Sequence, residues 1–127
     1  MDYGFSKNID LSYEKAIERV TEELKKEGFG VLTTIDVKDT LKKKIDVEFK
    51  RYVILGACNP SLAHRALSAD EQIGLLLPCN VVVKENGAGS TVSVFDPSVM
   101  VQIAGSPAIA ALAAEVREKL ERVFNSL

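Results

Sequence analysis

The stretch Val47-Glu48-Phe49-Lys50-Arg51-Tyr52-Val53-Ile54-Leu55-Gly56-Ala57-Cys58-Asn59-Pro60 decides how this chain is read. Aromatic and β-branched residues crowd into its first part, so Val47 to Cys58 is the strongest strand signal in the sequence. The strand must stop at Asn59-Pro60. Asparagine caps helices through its side-chain oxygen, and proline fits the first helical position, where its missing N–H costs nothing. Leu62, Ala63, Ala66 and Leu67 then give one apolar side to a helix ending near Ala69.

Working forward, Asp70 to Pro78 reads as a connector whose Ile73 and Leu75 to Leu77 should pack down on the core. Cys79 to Lys84 and Thr91 to Phe95 form a hairpin around Glu85-Asn86-Gly87-Ala88-Gly89-Ser90, where glycine permits positive φ. A short helix is expected over Pro97 to Ile103. A long one follows over Pro107 to Phe124, with Ile109, Leu112, Val116, Leu120 and Val123 facing inward. Working backward, Asp36 to Lys44 has Val37 and Leu41 four apart and reads as a short surface helix, and Phe29 to Ile35 reads as a strand. Ser12 caps a helix carrying Tyr13, Ile17, Val20 and Leu24 on one stripe, and Gly28 ends it. Tyr3 and Phe5 alternate with small or polar residues as a first strand.

Strands closed by helices in this order indicate an α+β domain, an antiparallel sheet of about five strands with helices packed on it, spanning residues 1–127 as one unit. The bulk properties agree. The chain has 127 residues, of which 46% are apolar and 27% charged, which excludes a disordered tail or a disulfide-dense mini-protein. Sixteen basic against eighteen acidic side chains give a net charge of -2, and neither half is polybasic, so no nucleic-acid partner is expected. The acidic start Met1-Asp2-Tyr3-Gly4-Phe5 lacks a basic, apolar leader. The uncharged runs Gln72 to Val83 and Pro97 to Ala114 are too short, or too interrupted, to cross a bilayer. A cytoplasmic protein without a membrane partner is expected, with both cysteines as thiols.

The chain contains no Walker A loop, G-x-S-x-G elbow, H-E-x-x-H or C-x-x-C motif. Gly28-Phe29-Gly30 lies after a helix and before a strand, the reverse of a dinucleotide-binding turn. The informative pair is Cys58-Asn59-Pro60 and Pro78-Cys79-Asn80, each a cysteine followed by asparagine at a strand boundary. Cys58 precedes a helix start, whose N–H groups on Ser61, Leu62 and Ala63 and positive dipole end favour a thiolate. Asn59 and Asn80 could cap, tie down loops or donate to a ligand. Cysteine is equally often a small buried hydrophobe. The single histidine, His64, is six residues after Cys58 and would serve any Cys-His site or metal set. Cys58, Cys79 and His64 make three soft ligands, one short of a closed structural zinc site. A right-handed crossover between Val47–Cys58 and Cys79–Lys84 would separate the two thiols, whereas antiparallel neighbours would bring them together.

Gly28 to Thr33, Ile54 to Pro60, Ala63-His64-Arg65-Ala66-Leu67 and Leu75 to Val83 resemble the domain-of-unknown-function 302 family, whose paired cysteine-asparagine elements match here at Cys58, Asn59, Pro60, His64, Pro78, Cys79 and Asn80. The resemblance implies a bacterial or archaeal β-α-β4-α domain, extended here by extra short helices, and a homodimer. It implies no established activity and no named cofactor. It favours the antiparallel arrangement and hence convergence of the two cysteine segments.

Three functions follow from that convergence. The first is thiol-based redox chemistry or ligand binding, with Cys58 as the more activated thiol, Cys79 as resolving partner or co-ligand, and Asn59, Asn80 and His64 as ligand-binding residues. The second is a non-enzymatic module for a soft metal or small molecule. The third, a hydrolase or transferase, needs Cys58 as nucleophile with His64 as base. The residues alone leave open whether the protein is an enzyme.

Overall fold

The computed structural model describes residues 2–127. Five strands, β1 (Gly4–Ile9), β2 (Gly30–Asp36), β3 (Tyr52–Cys58), β4 (Cys79–Asn86) and β5 (Gly89–Phe95), form one antiparallel sheet in the order β1-β5-β4-β3-β2. Helices α1 (Tyr13–Lys26), α3 (Pro60–Ala69), α4 (Ser98–Ala104) and α5 (Pro107–Asn125) contribute side chains to its core, while α2 (Val37–Ile45) buries none. The arrangement is the expected α+β one, with α2, α3, α4 and a 3-10 helix, Glu71–Leu76, added to the β-α-β4-α order.

Alternation along the central strands defines the inner face. Val53, Leu55 and Ala57 of β3, Cys79, Val81 and Val83 of β4, and Val92 and Val94 of β5 are buried, while residues between them are half-buried or exposed, apart from buried Gly56. An antiparallel sheet can carry such a two-sided pattern because only one face needs covering. From α1, Ala16, Val20 and Leu24 close over it. From α5 come the five side chains expected from the sequence: Ile109, Leu112, Val116, Leu120 and Val123. Polar groups populate the outer face: the Ser6 and Ser93 hydroxyls are 2.7 Å apart, and Thr91 donates to Asn8.

Several boundaries differ from the sequence reading. The third strand begins at Tyr52, not Val47, because Glu48, Lys50 and the apolar Val47 and Phe49 lie outside the ladder; Arg51 marks the edge, its carbonyl accepting from Glu85 N at 3.0 Å. The connector forms a 3-10 helix that buries Ile73 but leaves Leu75 81% exposed, so only part of its apolar run packs down. The hairpin turn is tighter than expected. Asn86 pairs with Gly89, leaving Gly87 and Ala88 as a two-residue loop, with Gly87 at φ +61°. In β2 the register slips between Val31 and Thr33, a bulge that puts Leu32 in solvent. Among the described residues no helix is long and apolar enough to cross a membrane.

Candidate functional site

The antiparallel β3–β4 pairing settles the geometry that the sequence left open. Ala57 is the cross-strand partner of Cys79, so Cys58, one residue further on, lies at the same end of the sheet but is out of step with Cys79. Both cysteines line a single cavity of about 40 Å³ between that sheet end and helices α3, α4 and α5. Its walls are otherwise almost wholly hydrocarbon, including Phe29, Leu62, Met100, Ile109 and Leu112. Both thiols are free.

The two sulfurs have different surroundings. Cys79 is 6% exposed, and burial pushes its thiol up from about 9.0 to about 11, with the charge of nearby Cys58 adding to the effect. A thiolate there would be stripped of water with no cation to compensate. Cys58 is half-buried at the strand end and is the more accessible of the two.

Asn59 is a structural tie. Its Oδ1 accepts from Leu62 N at 3.3 Å, capping α3, and its Nδ2 donates to Glu27 O at 3.2 Å, clamping the end of α1 against the start of α3. Ala63 N meanwhile donates to Asn59 O. Two of the three helix-start donors expected near Cys58 are therefore taken by Asn59. Gly28 makes room for the clamp: it adopts φ +84°, and a Cβ there would come within 2.9 Å of Asn59 Nδ2. Gly56 performs a similar service on the other side. A Cβ at Gly56 would lie 2.1 Å from Thr33 Oγ1 and 2.9 Å from Pro78 Cγ, so the proline that precedes Cys79 can settle onto β3 only over a glycine.

The remaining sequence candidates lie elsewhere. His64 is exposed on α3, two residues past buried Leu62 and two before buried Ala66, so helical geometry turns it away from the core. It lines a separate surface hollow with Arg65, Ser68 and Ala108, and the structure does not bring it to the cavity. Asn80 is exposed on β4, out of step with Cys79, and is not among the residues lining the cavity. Among the described residues no three His, Cys, Asp or Glu side chains gather as a metal set, so Cys58, Cys79 and His64 do not form one. Sequence reasoning missed Met100. Its only signal was an apolar position in a short helix, which nothing local connects to cysteines on distant strands.

The comparisons with known proteins agree with this architecture. A crystal structure of an uncharacterized conserved DUF302 protein from Bacillus stearothermophilus superposes with a TM-score of 0.91 at 29% sequence identity, covering 99% of this chain and 98% of that one. No curated protein matches the sequence. The family model described as "Domain of unknown function DUF302" matches residues 5–127. With the sheet order, the paired cysteine segments and this match in agreement, the chain belongs to the DUF302 family.

Proposed function

We propose that this chain is a cytoplasmic thiol protein that binds a small ligand at the cavity shared by Cys58 and Cys79, with Cys58 as the reactive contact. The observation that carries the reading is that both cysteines, from different strands, line one apolar cavity. Cys58 is accessible enough to meet a ligand, and Cys79 stays a neutral thiol at physiological pH because burial holds its proton on. Asn59 serves as a positioning residue that fixes the start of α3 beside Cys58.

A redox version is the second reading, favoured by the same proximity. Cys58 thiolate would attack a peroxide oxygen, giving a sulfenic acid and releasing the alkoxide or hydroxide, and Cys79 would then condense with it to a disulfide with loss of water. The out-of-step register and the raised Cys79 thiol both slow that second step. Thiol counting after stoichiometric peroxide separates the versions. Loss of two thiols per chain supports the disulfide cycle; loss of one, restored by reductant, supports Cys58 acting alone as a ligand thiol. Two thiols that never react in the folded protein would overturn both.

The partner assigned to the β2 side is a second copy of the chain. Strand β2 has an unpaired outer edge, and Leu32, Ile35 and Ile45 are exposed beside it. Sedimentation at twice the chain mass, lost when a proline replaces Thr34, is expected; a monomer at all concentrations would contradict it.

A further inference from the structure

The cavity at the end of the sheet is a gap in the packing bordered by small side chains. Ala57 of β3, Ala63 and Ala66 of α3 and Ala113 of α5 all line it. Ala57, Ala66 and Ala113 are themselves buried. Larger aliphatic side chains at such positions would fill the space, and protein interiors ordinarily are filled, since they pack as closely as organic crystals. Wall atoms facing a void lack partners on that side and forfeit their dispersion attraction. An occupant of matching chemistry restores it.

Wall chemistry selects that occupant. Among the described residues no charged side chain lines the cavity. The one side-chain amide, that of Asn59, is engaged at both ends, Oδ1 with Leu62 N and Nδ2 with Glu27 O. Cysteine and methionine sulfurs are only weak hydrogen-bonding groups. A buried water needs about two to four polar partners, which these walls do not provide. An ion or a strongly hydrogen-bonding molecule would lose its hydration there without compensation. Size sets the other limit. A space of about 40 Å³ has room for roughly two or three heavy atoms and excludes a nucleotide, a sugar or a fatty acyl chain. Access is from one set of wall residues: Cys58, Ala63 and Pro78 are half-buried, whereas Phe29, Leu62 and Ile109 are buried.

We propose that the cavity is a site for one small, uncharged, nonpolar molecule, of the size class of dioxygen, nitric oxide and the shortest alkyl compounds, which enters past Cys58 and Pro78. The proposal rests on the ligand-binding reading above and names the chemistry of the ligand. Binding is non-covalent, so no bond forms or breaks and no proton or electron moves. Its driving force is the dispersion contact regained and the apolar surface withdrawn from water.

The test follows methyl NMR signals of the full-length, reduced protein under rising pressures of xenon, a nonpolar probe of this size class. Saturable shifts are expected at Leu62, Ile109 and Leu112, which line the cavity, and none at Ile45, exposed on α2. Ala57→Val extends the β3 wall into the space with a residue suited to a strand, and it should abolish the response. Ala113→Val fills the space from α5 and should do the same, which keeps the test available if the strand variant does not fold. Formamide, a polar molecule of comparable size, should leave the same methyl signals unmoved. Wild-type methyls that ignore xenon, a response that survives in a folded Ala57→Val or Ala113→Val variant, or an equal saturable response to formamide overturns the proposal. Alkylation of the ligand-free protein keeps the two failures apart. Rapid labelling of Cys58 without a xenon response removes the nonpolar guest and leaves the thiol site, whereas an inert Cys58 without a response removes both.

Discussion

The two ends of β3's neighbourhood contrast in what they bury. Toward β4, the sheet is closed by α3, α4 and α5, and Leu55, Ala57, Cys79 and Val81 are each less than a tenth exposed. Toward β2, the sheet runs out. No residue of β2 or α2 is buried, and Leu32 and Ile45 are 67% and 63% exposed. A nine-residue helix gains little from its own hydrogen bonds and ordinarily needs packing to persist. α2 instead relies on the Asp36 side-chain cap and on ion pairs such as Lys43 with Asp39, and Lys42 with Asp46 and Glu48. The lesson is that one half of the sheet builds an interior in which a thiol's chemistry can be altered, and the other presents a surface.

The sharpest way to break that contrast is to remove bulk on each side. Leu55→Ala empties a fully enclosed position and should cost about 2–5 kcal/mol of unfolding free energy, read from denaturant melts. The next effect depends on pH. The Cys79 thiol, near 9.0 when free and about 11 when folded, favours the native state below pH 9, and that contribution fades as pH climbs from 9 to 11. Wild type should therefore lose about 2–3 kcal/mol more than Cys79→Ala between pH 8 and pH 11. Equal losses would mean that Cys79 is not shielded.

Gly56→Ala should cost about 1–3 kcal/mol, because the new methyl forces Pro78 off β3 even if the Thr33 hydroxyl rotates aside. It should also move the chemical shifts of Cys79 more than those of α1. Asn59→Ala removes the α3 cap and the tie to α1, and a loss of about 1 kcal/mol is expected, with faster amide exchange at Leu62. Smallest of all, Ile45→Ala should change monomer stability by no more than about 0.5 kcal/mol. A cost that instead grows with protein concentration would show that a second copy covers this side.

Much of the fold was legible because local signals agreed with it. Asn59-Pro60 marked the start of α3 to the residue, the stripe from Ile109 to Val123 marked the buried side of α5, and Gly28 ended α1 at positive φ. The Val47–Arg51 segment misled because its β-favouring Val47 and Phe49 alternate with charge, and pairing partners, invisible locally, decide where a ladder begins. The candidate site was half legible. Paired cysteines at strand ends pointed to one place, but whether they met depended on strand direction, a property of the whole sheet. His64 was favoured as the lone imidazole, yet its helical phase between Leu62 and Ala66 turns it outward. Met100 could not be seen at all, since α4 reaches the cavity only after the chain has returned through the hairpin.

The central claim is that Cys58 and Cys79 share a site, that Cys58 is the more accessible of the two, and that burial holds the proton on Cys79. Pulse alkylation of the native protein with iodoacetamide near pH 8, read by peptide mass mapping, tests it most directly. The account predicts that the peptide containing Cys58 is labelled well before the one containing Cys79, and that Cys79 catches up only on unfolding or as pH approaches 11. Equal labelling rates for the two, or Cys79 labelled first, would contradict it.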